Sequence, residues 1–161
     1  MNITSDEIEK VLQLLAKTTR RIAALSNNLD NASLNFKPDD VSWSANDILA
    51  HLRACADVRS KSIMAMLSQE HPTLRHISPR TWMKKTDYPK QDFHVSFEAF
   101  TKQRNELLKL LKSLKNKDWS RGATFTAITK GREQTVFSHT NIIAQHEDEH
   151  CNQIEALLKQ L

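Results

Sequence analysis

Apolar residues recur every three or four positions along four separate stretches of the chain, which is the spacing of one face of an α-helix. The four predicted helices cover residues 5 to about 27–31, 44–69, 92–115 and 134–161. Ser5 can cap the first helix, and Ser44 with Asp47 three residues later fits a capping box for the second. Four long amphipathic helices predict an all-α four-helix bundle that occupies residues 1–161 as a single domain.

Two long connections separate these helices. Three prolines interrupt residues 71–90 and exclude a continuous helix there. A connection of this length is long for neighbouring antiparallel helices, which need about 2–8 residues, so we predict a crossover along the bundle between the second and third helices. Trp82 and Tyr88 in this crossover are expected to pack over the bundle. Residues 116–132 contain both glycines and a β-leaning segment, 123–129, so they form either an irregular loop or a short hairpin.

Composition narrows the functional classes. The net charge of +4 comes from 23 basic and 19 acidic residues that are mixed along the sequence. Since no basic cluster or nucleic-acid-binding motif stands out, no nucleic-acid partner is expected. The first residues lack a basic region followed by an apolar core, and no apolar run approaches the roughly 20 residues that cross a bilayer, so no secretion signal and no membrane are expected. Two cysteines make no disulfide framework, and we predict a cytoplasmic protein.

Two histidines in the fourth helix occupy positions where a core leucine is normally found. His146 and His150 are four residues apart on the apolar stripe, one helical turn above each other. Burying two imidazoles without partners costs about 1–3 kcal/mol each, and one shared metal ion would satisfy both. A catalytic metal site normally has three protein ligands, and His51 is the best candidate for the third because it lies on the apolar face of another helix.

Residues 146–150 also match the H-E-x-x-H signature of zinc metalloproteases. In those enzymes a further ligand lies downstream, but only eleven residues follow His150, so the common protease arrangements are excluded. His139 lies about 10 Å before His146 along the helix, too far to share one ion. The remaining histidines lie in or beside the crossover and are expected at the surface: His71, His76 and His94.

Two segments resemble motifs of the DinB/YfiT-like superfamily. One is residues 43–52, W-S-A-N-D-I-L-A-H-L, and the other is residues 143–154, which end on a Gln-Ile pair. The proline-broken crossover and Arg104 in the third helix are similar too, so the resemblance covers nearly the whole chain. It implies a four-helix bundle in which a histidine triad binds a divalent metal ion: His51, His146 and His150.

The resemblance also implies a chemistry. Zinc or nickel is the expected metal, and three imidazoles suit iron or copper as well. Characterised members include thiol-dependent S-transferases and isomerases that use low-molecular-weight thiols, so we predict such a transferase or a hydrolase acting on a small-molecule substrate. A bound metal lowers the pKa of a water or thiol and so creates a nucleophile. Glu147 is predicted to act as an acid/base or to orient a ligand, and Arg104 to bind an anionic substrate group.

Simpler interpretations stay open at this point. Arg104 can instead pair with a carboxylate, and Glu147 can be an ordinary helix-surface residue. Cys55 is expected to be a buried small hydrophobe, although as a fourth ligand it would close the site and make it structural. Cys151 points away from His150 and is expected to be inert. The alternative function is a non-catalytic, stress-associated bundle that binds a metal or a partner, or one in which no metal binds. The resemblance also allows a homodimer.

Overall fold

The computed structural model of the protein describes residues 3–127 and 131–161. The helices are α1 Ser5–Ser26, α2 Asn31–Leu34, α3 Ala45–Ser68, α4 Pro79–Met83, α5 Phe93–Lys112 and α6 Val136–Leu158. The long helices α1, α3, α5 and α6 form the predicted four-helix bundle, in which α1 packs against α6, and α3 packs against both α5 and α6. Within the described part of the chain, no helix is both long and apolar enough to cross a membrane.

The helix starts show how local side chains set the boundaries. Thr4 caps α1 in a capping box with Glu7, so the predicted cap at Ser5 is wrong by one residue. The box requires an acidic or amide side chain three residues after the cap, and Glu7 meets that requirement for Thr4. Ser44 and Asp47 form the predicted box at the start of α3. The loop predicted between the first two long helices contains the short helix α2, which the sequence pattern did not indicate.

A small three-stranded sheet accompanies the bundle. Its strands are β1 Thr73–Arg75, β2 Gly122–Thr126 and β3 Arg132–Thr135, in the order β1-β2-β3. Strands β2 and β3 are antiparallel, which confirms the hairpin among the two alternatives, and residues 128–129 of the β-leaning segment lie outside the described residues. Strand β1 lies in the crossover and pairs in parallel with β2, which was not predicted. Because β3 continues to Thr135, α6 begins two residues later than predicted.

One carboxylate fastens the crossover to the bundle. Asp57 of α3 accepts hydrogen bonds from Trp82 Nε1 at 3.0 Å and from the Tyr88 hydroxyl at 2.8 Å. It also accepts one from Gln103 Nε2 of α5 at 2.6 Å. The Arg53 guanidinium lies 3.7 Å from the centre of the Tyr88 ring and adds a cation–π contact. The expectation that Trp82 and Tyr88 pack over the bundle is therefore confirmed.

The apolar core consists of two clusters at successive levels of the bundle. One contains Leu15, Leu107 and Ala144, and the other contains Ile22, Phe100 and Cys151. Between these two levels the helices carry buried polar residues: Thr18 on α1, Arg104 on α5 and Glu147 on α6. A polar layer thus crosses the middle of the bundle, and it includes the residue next to His146.

Candidate metal centre

Three imidazoles meet where α3 faces α6. His51 Nε2 lies 3.3 Å from His146 Nε2, and His150 Nε2 lies 3.1 Å from the same His146 atom. The ring centres of His51 and His150 are 5.0 Å apart. His146 and His150 come from consecutive turns of α6, and His51 reaches them from the second turn of α3. The structure therefore brings together the three histidines that the sequence nominated.

The nitrogen separations fit a shared ion. Ligand nitrogens about 2.0–2.1 Å from a tetrahedral zinc ion are about 3.3–3.4 Å from one another. The observed 3.3 Å and 3.1 Å separations are close to that value. A single Nε2 atom of His146 cannot satisfy two neighbouring imidazoles by ordinary hydrogen bonds, because it has either one hydrogen or one lone pair. Three converging lone pairs are satisfied together by one cation.

Gln153 sets the orientation of one ligand ring. The Nδ1–H of His150 donates to Gln153 Oε1 at 2.8 Å. Since a neutral imidazole carries one proton, this bond places the lone pair on Nε2, the atom that faces His146. Hydrogen bonds of this kind commonly fix the tautomer and raise the basicity of metal-binding histidines. Gln153 belongs to the motif at residues 143–154, but its contact with His150 was not predicted.

Burial keeps the imidazoles neutral. It lowers the pKa of His51 to about 4 and the pKa of His146 to about 3, and it also lowers the pKa of His150. The positive charge of Arg59 acts in the same direction on all three rings. At pH 7 each ring is therefore in the deprotonated form that a metal requires.

Cys55 also lies at this site. Its Sγ is 3.5 Å from His51 Nε2, and the potential ligand atoms of His51, Cys55 and His146 all lie within 4.8 Å of one another. Burial raises the pKa of the Cys55 thiol to about 11, so without a metal the sulfur stays protonated. The side chain is 2% exposed, as expected for a buried small hydrophobe, yet its position also suits a fourth ligand.

Arg104 and Glu147 face each other instead of the histidines. Arg104 Nη2 donates to Glu147 Oε1, and the two side chains are 0% and 1% exposed. Glu147 follows His146 by one residue, which turns its side chain by about 100° around α6, toward α5. Both side chains are closed off from solvent and each is the other's partner, while the catalytic role of Glu147 and substrate binding by Arg104 stay predictions. Pairing with a carboxylate, the simpler interpretation of Arg104, is confirmed.

The other histidines lie apart from this centre. His71, His76 and His94 are exposed, as expected. His139 is buried in the first turn of α6, two turns before His146, and its Nδ1 is hydrogen-bonded to Gln134 Oε1.

Two arginines near the centre were missed by sequence reasoning. Arg59 follows Cys55 by one helical turn, and Arg80 of α4 lies over Trp43, whose ring is 5.1 Å from His51. The spacing His51, Cys55, Arg59 on α3 was a usable signal for the first. The second depends on how the crossover folds back, which no local pattern reveals.

Comparison with known proteins places the chain in a family. The family model described as the DinB superfamily matches residues 14–154. The chain belongs to the DinB superfamily. Among solved structures, this DinB protein is similar to YfiT from Bacillus subtilis, which is described as a probable metal-dependent hydrolase with an unusual four-helix bundle topology. That match has a TM-score of 0.85 and 17% identity over 98% of this chain and 89% of YfiT.

Two further solved structures share the fold. An uncharacterised protein from Clostridium difficile matches with a TM-score of 0.73 and 13% identity, covering 96% of each chain. A DinB-like protein from Bacillus cereus matches with a TM-score of 0.68 and 18% identity, covering 94% of this chain and 91% of that one. At these identities the similarity establishes the DinB fold alone. No curated protein sequence matches the chain.

Proposed function

We propose that this DinB protein is a metal-dependent enzyme that hydrolyses a small molecule, with a divalent ion held by His51, His146 and His150. The observation that carries the proposal is the convergence of three neutral imidazoles: the Nε2 atoms of His51 and His150 lie 3.3 Å and 3.1 Å from Nε2 of His146. Zinc and nickel are two of the metals that imidazole ligands suit.

A divalent ion held there would supply Lewis-acid activation of a water or thiol nucleophile. The chain's own residues prepare the site for it. Burial keeps the ligand nitrogens deprotonated, and Gln153 orients His150 through its Nδ1–H. Trp43 lies against His51 and shields it from solvent on the side of α4. The Arg104–Glu147 pair lies behind the ligands, on the side of α5, and holds α6 in place.

Thiol transfer is the second candidate reaction, because the same activation serves a thiol as well as a water molecule. The two reactions give different products. Metal-loaded protein would be incubated with p-nitrophenyl acetate alone, and with cysteine plus 1-chloro-2,4-dinitrobenzene, and the products identified by mass spectrometry. Ester hydrolysis that depends on His51 supports a hydrolase. Formation of the cysteine thioether that depends on His51 supports a transferase instead.

The non-catalytic alternative differs in coordination. If Cys55 is a fourth protein ligand, the site is closed and structural. Replacing the native ion by cobalt tests this, because a bound thiolate gives a sulfur-to-cobalt charge-transfer band that imidazole does not. We expect no such band, and we expect the spectrum of Cys55→Ala to be the same as that of the native protein. A band that disappears in Cys55→Ala would favour the structural alternative.

Elemental analysis of protein purified without an affinity tag tests the metal centre itself. We expect about one divalent ion per chain, lost in His51→Ala and in His146→Ala. His94→Ala is the matched control, since His94 is an exposed histidine on α5. Native protein that binds neither zinc nor nickel after reconstitution would refute the proposal, and so would full metal content in both ligand variants.

A further inference from the structure

A cavity of about 320 Å³ lies next to the candidate metal centre. It is formed between α3 and α6 and is covered by the crossover and the hairpin. A volume of this size is at the lower end of the range for small-molecule sites, about 300–1,000 Å³. Its walls combine apolar side chains with cations, and none of the described residues that line it is acidic.

The cavity and the metal centre share one groove between two helices. On α3, Arg59 in the cavity wall follows Cys55 by four residues, which places it one turn further along the same face. On α6, Ile142 in the cavity wall precedes His146 by four residues. One helical turn is about 5.4 Å, so a small molecule in the cavity lies within reach of the histidines.

Among the described cations of the cavity wall, Arg59 is the one that most needs a partner. Its Nη1 atom is buried and, among the described residues, makes no hydrogen bond. Burial removes water from its guanidinium and thereby lowers the pKa of Arg59. A guanidinium in such surroundings costs free energy unless a negative group pairs with it. Within the described chain no salt bridge joins Arg59 to a carboxylate.

His139 presents a second polar atom without a partner. Its Nδ1 is engaged by Gln134, and its buried Nε2 makes no hydrogen bond within residues 3–127 and 131–161. Both His139 and Gln134 line the cavity. Because the Nδ1–H of His139 donates to the Gln134 oxygen, its Nε2 lone pair can accept a hydrogen bond from a ligand, whereas Arg59 can donate one to an anionic group.

The rest of the wall has a mixed character. Exposed cations stand at the rim, Lys61, Arg75 and Arg132. The inner surface is apolar and aromatic, with Trp82, Phe125 and Ile142. Such a wall suits a molecule with an apolar or aromatic body and a negatively charged group, because the body is removed from water while the charge meets arginine.

We propose that this cavity binds an organic anion with an apolar body, whose carboxylate or equivalent group pairs with Arg59. If the cavity is the substrate pocket of the metal centre, the inference rests on the proposed function, and the organic anion is its substrate class. The anionic group would be held at Arg59, and the rest of the molecule would extend along the groove toward His146. Arg59 then takes the role that the sequence had suggested for Arg104.

The probe is 2-naphthoate, compared with the uncharged 2-naphthamide of nearly the same shape, in titrations followed by calorimetry. A charge-assisted hydrogen bond contributes about 1.5–3 kcal/mol, so we expect naphthoate to bind at least about tenfold more tightly than naphthamide. Arg59→Gln should remove that preference. The control is Arg20→Gln, since Arg20 is an exposed arginine of α1 outside the cavity.

Equal binding of the two probes, no binding of naphthoate, or an unchanged preference in Arg59→Gln would each overturn the proposal. Arg132→Gln, at the exposed rim, is a second variant that tests the proposal even if the partly buried Arg59→Gln fails to fold. We expect it to weaken naphthoate binding by a smaller factor and to make the binding less dependent on salt. Unchanged affinity and salt dependence in a folded Arg132→Gln would count against the cationic rim and against the proposal.

Performing the titrations on metal-free protein separates this inference from the proposed function. Arg59-dependent naphthoate binding by a chain that never takes up metal would support the anion site and refute the enzyme. A chain that binds metal through the histidines but shows no preference for naphthoate would refute the anion site and leave the proposed metal centre supported.

Discussion

The buried ion pair between Arg104 and Glu147 allows a quantitative test of its structural role. Both side chains are almost completely inaccessible, so removing one charge leaves the other buried without a counter-ion. We expect Arg104→Met and Glu147→Leu each to lower the free energy of unfolding by about 3–5 kcal/mol. The double variant should be much less affected, because replacing both members of a buried pair with apolar residues is often neutral or even stabilising.

Urea denaturation of the metal-free proteins, followed by circular dichroism, provides the four unfolding free energies of the double-mutant cycle. The control pair is Glu155 of α6 and Lys159, the C-cap residue of that helix, which are 41% and 72% exposed. An exposed pair with this spacing contributes little to stability, because water screens its charges. Additive losses for Arg104 and Glu147, or single losses no larger than those of the control, would refute a buried and mutually dependent pair.

The same variants test whether either residue takes part in the chemistry. If the pair only supports the fold, the double variant should bind metal with native stoichiometry and keep the native pH profile of activity. A folded double variant that binds metal normally but has lost its activity would support the catalytic roles predicted for Glu147 and Arg104.

Three further predictions follow from single contacts. Cys55→Ala should keep about one metal ion per chain, and loss of the ion on elemental analysis would make Cys55 a ligand. Ser44→Ala should cost about 1 kcal/mol in urea denaturation, because Ser44 Oγ accepts the Asp47 backbone N–H, and an unchanged midpoint would contradict the cap. Burial lowers the pKa of His139 to about 4, so the unfolded chain binds this proton first as the pH falls below about 6.5, and stability declines until about pH 4. Between those pH values the free energy of unfolding of the native protein should fall by up to about 3 kcal/mol more than that of His139→Gln. If the unfolding free energies of the two proteins change in parallel with pH, the lowered pKa of His139 is wrong.

The bundle and its histidines could be predicted from sequence because their signals are periodic. Each long helix repeats its apolar face over several turns, and His146 with His150 fall on that repeat. His51 could be nominated for the same reason. The start of α1 was misplaced because Thr4 and Ser5 are both good caps, and only the position of Glu7 distinguishes them.

Contacts between distant segments were beyond such patterns. Strand β1 is only three residues long and depends on β2, about 50 residues later in the chain, for its hydrogen bonds. Glu147 was assigned to the metal site because it adjoins His146 in sequence, but its direction around α6 takes it to Arg104. Arg80 reaches Trp43 only because the crossover folds back over α3.

The candidate metal ligands and the residues that cover them belong to different elements, which Asp57 joins. The histidines stand on α3 and α6, whereas Trp82 and Arg75 of the cavity wall come from the crossover, and Phe125 and Arg132 from the hairpin. Because Asp57 needs only Trp82 and Tyr88 of the crossover as hydrogen-bond partners, the other residues of the cover can change while the two helices that carry the histidines stay as they are. Selectivity for a new molecule can therefore evolve in the crossover and the hairpin, without a compensating change among the three histidines.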